Sequence, residues 1–475
     1  MKKLKFALLL VVVLVLFTAL TAFAGDAYDA SFTTSVTYQN VGSADAMVTF
    51  QFYPENASSP ITYDATLPAG AGASLFMGGV ADVPDGFMGS GILSSDQPVV
   101  ATLVQIASDP AVQNRPLSNG FETGAPQVLL ATVLKNKFNA TSVFSVQNAS
   151  SGPVDLDITF YNADNPAAAP INIEHNGLPA GASKYFDMGT IPQIAAGVFN
   201  GSAVVQGYAA GTTTPANIVA TVLELGTNNT DASAFEGVSG ASNTVYMPSA
   251  ICNAFGGQNT AYAVQNTSQS ASASVTVTYS NGATESANIP AGAKRSFLAC
   301  NATGMTQGFS GSATITSTGA EIVVIGKVYG VGLYTAFLGA TEGSETLALP
   351  YVRWTESQWT PGGRQRAYIA IQNVGANLPA GAVTVRYVDK NGDVVGTHSL
   401  PAIPSGGKVN SWAGLPEVTG NRAALNEFGY AGGQFGGSVI VEGPAGSQLV
   451  AVARVASAAP SNLVGEDYNG ATIVD

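Results

Sequence analysis

Val275-Thr276-Val277-Thr278-Tyr279-Ser280-Asn281-Gly282 decides the fold. Apolar and polar side chains alternate up to Tyr279, the period of a strand with one buried and one wet face. Asn281-Gly282 then supplies a two-residue hairpin turn whose positive φ suits the strand twist. The same alternation recurs at Val48, Phe50, Phe52; at Val154, Leu156, Ile158, Phe160; and at Val383, Val385, Tyr387, followed by Asn391-Gly392. Each copy sits in a longer repeat with four landmarks. Gln-Asn precedes it, at Gln39-Asn40, Gln147-Asn148, Gln265-Asn266 and Gln372-Asn373. Pro-x-Gly follows, beginning at Pro68, Pro179, Pro290 and Pro404, which are 111, 111 and 114 residues apart. Phe-x-Gly-Ser comes next, at Phe87–Ser90, Phe199–Ser202, Phe309–Ser312 and Phe435–Ser438. An apolar run closes each copy, at Val99–Ile106, Ile218–Leu225, Ile322–Val328 and Leu449–Val455.

Roughly seven short strands per ~100 residues, parted by Gly, Pro and Asn turns, predict immunoglobulin-like sandwiches. The expected fold class is all-β, with four tandem immunoglobulin-like β-sandwich domains after a signal peptide. A β-barrel of similar strand count is the alternative. The boundaries read 1–24 for the signal peptide, 25–125, 126–242, 243–345 and 346–465 for the repeats, and 466–475 for a tail strand. Composition agrees: 475 residues exceed one core, and charged residues are 10% against about a quarter in ordinary domains.

Lys2, Lys3 and Lys5 precede an apolar run from Phe6 to Leu20, and Ala22-Phe23-Ala24 gives a small-x-small cleavage site before Gly25. That pattern is a secretory signal peptide. No Cys follows the run as a lipid attachment point, and no later stretch reaches the ~20 apolar residues of a spanning helix. Losing three lysines with the leader takes the net charge from −13 to −16. Such a surface does not suit nucleic acid, which requires clustered Lys and Arg.

The repeat resembles a group of secreted bacterial proteins with tandem Ig-like repeats. The resemblance rests on Val245-Tyr246-Met247-Pro248, Thr260–Asn266, Val275–Tyr279 and Phe309–Ala313 and covers all four copies. It implies a cell-surface or extracellular-matrix setting and no chemistry.

No catalytic apparatus is legible, so an enzyme is not expected. His175 and His398, the only histidines, stand near predicted turns of different repeats and read as solvated loop residues. No His/Cys cluster with zinc spacing exists, no cofactor is expected, and Asp389-Lys390-Asn391-Gly392-Asp393 fails the calcium-loop template and reads as a hairpin turn. Seven Asn-x-Ser/Thr sequons, at Asn56, Asn139, Asn148, Asn200, Asn228, Asn266 and Asn301, are what a Ser/Thr/Asn-rich chain produces by composition. Cys252 and Cys300 are the only cysteines, both in the third repeat, and secretion favours their pairing.

Two further features bear on function. All three tryptophans, Trp354, Trp359 and Trp412, fall in the fourth repeat among eight Lys/Arg residues. Exposed there, they would suit sugar stacking or a protein partner, and packing of a long loop is the competing explanation. The strand-like Val128–Ala131, Val245–Pro248 and Leu347–Pro350 each precede a Gln-Asn, while Thr472-Ile473-Val474-Asp475 reads as a displaced fourth copy at the C-terminus. If each completes the following sandwich, the first repeat has an open edge and the last strand is free to donate. If each belongs to the preceding repeat, four complete domains result. The expected function is an extracellular structural rod, a filament or surface-layer subunit joined head to tail through that strand, with other protein chains as partners. The alternative is an adhesin or carbohydrate-binding module that holds surface glycans on the fourth repeat.

Overall fold

The computed structural model describes residues 31–108, 114–194, 197–226, 231–359, 363–431, 434–458 and 463–473. The chain is nearly all β, in successive pairs of antiparallel sheets. Unit one holds β1 (Phe32–Asn40), β2 (Ala46–Pro54), β3 (Ile61–Leu67), β4 (Gly72–Phe76), β5 (Gly89–Ser95), β6 (Val99–Ala107) and β7 (Leu117–Asn119). Unit two holds β8 (Gln127–Lys135), β9 (Ala140–Asn148), β10 (Val154–Asn162), β11 (Ile171–Leu178), β12 (Ser183–Asp187), β13 (Phe199–Ala209), β14 (Ile218–Gly226) and β15 (Ala232–Glu236). Unit three holds β16 (Thr244–Cys252), β17 (Asn259–Asn266), β18 (Ala273–Tyr279), β19 (Thr284–Ile289), β20 (Lys294–Leu298), β21 (Phe309–Thr318), β22 (Ile322–Gly330) and β23 (Leu333–Leu338).

Unit four is the elaborated copy. It holds β24 (Thr346–Leu349), β25 (Trp354–Trp359), β26 (Gly363–Asn373), β27 (Thr384–Asp389), β28 (Val394–Ser399), β29 (Lys408–Ser411), β30 (Thr419–Gly420), α1 (Arg422–Asn426), β31 (Tyr430–Ala431), β32 (Gln434–Phe435), β33 (Gly437–Glu442), β34 (Leu449–Ala458), β35 (Leu463–Asn469) and β36 (Ala471–Thr472). The stretch assigned above to a separate tail from residue 466 is integral to this unit, because β35 pairs with β34 along its length.

Alternation makes the sandwiches. In β10 Val154, Leu156, Ile158 and Phe160 are buried while Asp157 is exposed on the other face. Unit two stacks the sheet β11-β10-β13-β8 on β12-β9-β14-β15, and unit three repeats that order. Relative to the immunoglobulin order, the first and seventh strands exchange sheets: β8 pairs with β13, and β14 with β9.

The units do not extend as a rod; they close into a ring. The four terminal hairpin strands β7, β15, β23 and β35 pack against one another in a cycle, each touching two others. The landmark motifs make the joints. Asn40, Asn148, Asn266 and Asn373 each donate through Nδ2 to a carbonyl of the loop that follows them and to the carbonyl just before their own Pro-x-Gly turn, tying the two loops together. The Phe-x-Gly-Ser serine of one unit then donates to the turn glycine of the next: Ser90 to Gly181 at 2.8 Å, Ser202 to Gly292 at 2.9 Å and Ser312 to Gly406 at 2.7 Å. The rings of Tyr53 and Tyr161 lie where a Cβ on Gly181 and Gly292 would stand, so only glycine permits the approach. Unit four returns to unit one through the amide of Gly72, which donates to the carbonyl of Lys390 at 3.3 Å.

Apolar surface drives this closure. Ala263, Val323, Ile325 and Ala336 of unit three join the buried cluster of unit two, Val452 of unit four joins that of unit three, and Val104 and Leu117 of unit one join that of unit four. In a rod, the apolar outer faces at the end units would lie open to water.

Candidate functional site

The joint between units one and two differs from the other three. In units two, three and four the first strand, β8, β16 or β24, lies beside β13, β21 or β33. It also wedges against the following unit, as where Lys294 of unit three donates to Thr132 of β8 at 2.7 Å. Unit one has no such strand among the described residues. Among the described residues its second sheet is β3-β2-β5, with no strand on the other side of β5. Burial records the gap. Most of β13 and β33 is buried, whereas no residue of β5 is. Gln39, Gln265 and Gln372 are buried at their joints, and Gln147, which donates to Gly91 of β5 and to Gly181, is half-exposed. The buried core of unit one takes in no residue of unit two among those described. Across this joint Phe32 packs on Leu223, Leu225, Ala232 and Ala234, Tyr53 lies over Gly181, and Lys184 pairs with Glu55 at 2.7 Å.

The C-terminal residues are not a spare strand. Leu347 and Ala348 of β24 pair with Thr472 and Ala471, and the amide of Ile473 donates to the carbonyl of Thr346 at 3.1 Å. Val474 and Asp475 lie outside the described residues. Units two and three make the same contact, with Val238 bridging to Leu129 and Ala340 to Tyr246. Each follows a glycine that ends the last hairpin: Gly237, Gly339 and Gly470. The expectation of a displaced fourth strand is therefore corrected: Ala471–Ile473 clamp the first strand of their own unit. The counterpart in unit one is Gly120-Phe121, and Phe121 is 37% exposed. The recurring glycine, in Gly120–Gly124, Gly237–Gly240, Gly339–Gly343 and Gly470-Ala471, is the sequence signal that reveals this.

Trp354 and Trp359 stand on a strand, not in a loop, while Trp412 lies in the loop that follows β29. Trp354 opens β25, which pairs with β26, and the backbone of Trp359 lies opposite Gly363. The Trp359 side chain lies outside the described residues. Trp354, Tyr368 and Trp412 form a row, with ring centres 6.0 and 5.7 Å apart. Arg366 places its guanidinium 4.3 Å above the Trp354 ring, and Tyr368 is 40% exposed between its half-buried neighbours. The indole of Trp354 occupies the space a Cβ on Gly414 would take, so it supports the fold as well. Tyr368 joins the row only through the fold, since no local sequence feature sets it beside Trp354 and Trp412.

Cys252, at the end of β16, is bonded to Cys300 in the single helical turn after β20. The bond closes a loop of 48 residues. Replacing both cysteines by alanine is expected to cost about 3–4 kcal/mol in the chain-entropy account, read as a lower urea midpoint of the third unit.

His398 is not solvated: it is buried in β28, and its Nδ1 shares a hydrogen bond with Ser411 Oγ at 2.9 Å. Burial holds its pKa below the ordinary value, as it does for half-buried His175 on β11. Asp389 Oδ1 accepts the amides of Asn391 and Asp393, closing the β27–β28 hairpin. Among the described residues no three His, Cys, Asp or Glu cluster as metal ligands, and no helix is long and apolar enough to cross a membrane.

Charges gather where the hairpin strands meet. Arg115 pairs with Glu466 at 2.6 Å, and Arg454 with Asp467 at 2.7 Å. Thr335 donates to Asp467, and Glu236 accepts the amide of Asn119. Burial pushes Glu236 and Glu466 up to about 7, Arg115 opposing it at Glu466. At the second joint, burial pushes Lys294 down to about 7. These groups hold units together and form no open cleft. No protein-family model and no curated protein matches this chain, so the resemblance to secreted Ig-repeat proteins rests on its motifs alone.

Proposed function

We propose that the chain is a secreted structural subunit of the cell surface and that it assembles through the open edge of its first unit. The observation that carries the reading is the three-stranded sheet of unit one, in which no described strand lies beside β5 on its outer edge, although Gly89 and Gly91 there accept from Tyr185 and Gln147 of unit two. An unpaired edge of this kind accepts a strand from another chain. A head-to-tail contact between unlike surfaces extends into a fibre where its rotation does not close a ring. The apolar N-terminal run and its small-residue site support secretion.

Ile92 lies on β5 and is half-buried, outside the buried core of its unit. Negative-stain microscopy of the chain from Gly25 should show end-to-end assemblies that Ile92→Lys abolishes without changing the melting temperature. Single rings at every concentration would sink the reading.

The row Trp354–Tyr368–Trp412 favours a second reading, a glycan-binding surface on the same subunit. Tyr368→Ala should weaken binding to a glycan array roughly tenfold at unchanged stability, the value of about one aromatic contact. Trp354→Ala should instead lower stability, because its indole fills the space over Gly414. A Tyr368→Ala chain that keeps full binding would remove this reading.

A further inference from the structure

Among the described residues, seven other than glycine take a positive φ. Four are Asn, which tolerates that conformation. The other three are Phe138, Phe255 and Val331, at 54°, 51° and 51°. Each opens a two-residue turn whose second residue, Asn139, Gly256 or Gly332, is also at positive φ. That is the I′ pattern, which favours Asn, Asp or Gly at its first place. A bulky or β-branched residue there is an outlier. No packing inside the chain recovers the cost, because Phe138, Phe255 and Val331 are 66%, 62% and 46% exposed. A strained turn that holds a bulky apolar side chain in water points to a contact outside the chain.

The turns share one end of the molecule. Phe138 sits between β8 and β9, and Phe255 at the equivalent place between β16 and β17. The Val331 turn, between β22 and β23, abuts the Phe255 turn: a Cβ on Gly257 would stand 3.6 Å from Val331 Cγ1. Exposed Val198 lies beside the Phe138 turn, since Asn136 Nδ2 donates to the carbonyl of Gly197 at 3.3 Å. Units two and three thus each present one Phe and one Val. The repeated joints from serine to turn glycine close into a ring, so neighbouring units are related by rotation about one axis and equivalent turns stand at one height.

A lipid surface fits this arrangement. A protein partner would need a pocket for every tip at the spacing of two units, whereas a bilayer interface accepts apolar side chains at one height whatever their spacing. The turns also carry little charge to desolvate, in a chain of net charge −13. Their one charged side chain, Lys137, pairs with Asp164 at 2.8 Å and lies 5.4 Å from the centre of the Phe138 ring. We propose that these tips seat the ring on a phospholipid membrane, with Phe138 and Phe255 as the inserted anchors.

Flotation of the chain from Gly25 with phosphatidylcholine vesicles tests this. The chain should rise with the vesicles, and about 0.5 M salt should not release it, because the contact is apolar. Phe138→Asn and Phe255→Asn should each weaken vesicle binding roughly tenfold, and together roughly a hundredfold. Asn suits these turns, so both variants should melt no lower than the parent. Met47→Asn removes another exposed apolar side chain, at the end of β2 that meets the Pro-x-Gly turn, and should change nothing. Ile92→Lys should float like the parent, so this proposal and the assembly reading fail separately. A parent chain that stays clear of the vesicles overturns the proposal, as does binding that survives the double substitution. A doubled mass without lipid that Phe255→Asn abolishes would give the tips to a second copy and overturn it too. So would a lower melting temperature in either variant, which would assign the phenylalanines a packing role.

Discussion

Arg115→Ala is expected to destabilise the ring by about 3–5 kcal/mol, the usual cost of removing one partner from a buried ion pair. Arg115 comes from the approach to β7 and Glu466 from β35, so the pair joins the first unit to the last. Their side chains are 9% and 1% exposed. Without the guanidinium, the Glu466 carboxylate keeps the Tyr351 hydroxyl, at 3.1 Å, and the nearby charge of Arg353. The carboxyl would then take a proton, so the penalty should shrink at pH 5 relative to pH 8. Pairing Arg115→Met with Glu466→Met should recover most of the loss, because two apolar side chains leave no buried charge. Urea unfolding of the unsubstituted, Arg115→Ala and doubly Met-substituted chains at both pH values checks this. A cost below about 1 kcal/mol for Arg115→Ala would mean that water reaches the pair and that closure does not depend on it.

The strands were legible because alternation is a local property. Val154 to Phe160 announce one face of β10 without reference to any other residue. Ring closure was not, because it lies in the outward positions of the same strands. Val323 and Ile325 look like ordinary strand residues, and nothing local says that the next unit, not water, covers them. The motifs did carry that information under another reading. Phe-x-Gly-Ser looks like a core plug with a bulge, and Gly201 does stand where a Cβ would strike Phe199 and the carbonyl of Tyr161. Its serine, however, serves the neighbouring unit. Repetition at constant spacing records both the fold of a unit and the contact between units, and the sequence alone does not separate the two. The C-terminus misled for a related reason: Thr472-Ile473 has strand composition, yet the glycine before it was the element that repeats. The aromatic row escaped because Trp354, Tyr368 and Trp412 come together only through pairing of β25, β26 and β29.

Folding stability should pass through a minimum near pH 7, an outcome set by which charges the joints bury. Glu236 and Glu466 have folded pKa values near 7, raised by burial from an unfolded value of about 4.3. Between those limits the folded chain holds protons that the unfolded chain releases, so stability falls as pH rises from about 4.5 to 7 and then levels. Each group accounts for on the order of 3 kcal/mol across that window. Lys294 acts in the opposite sense. Its folded pKa is pushed down to about 7, from about 10.4 in the unfolded chain. The unfolded chain therefore holds the extra proton above pH 7, and stability rises from there towards pH 10. Lys408, pushed down to about 8 by burial, adds to the same limb. His175 and His398, both lowered by burial, make the acid limb shallower below about pH 6.5, because the unfolded chain takes up protons there that the folded one resists. Urea midpoints from pH 5 to 9 should trace the trough. Glu236→Gln should flatten its acid side and Lys294→Met its alkaline side, each without moving the other. A stability maximum at neutrality, the common pattern for proteins whose carboxylates are stabilised as anions, would show that these joints admit water and that the four units are held by their apolar faces alone.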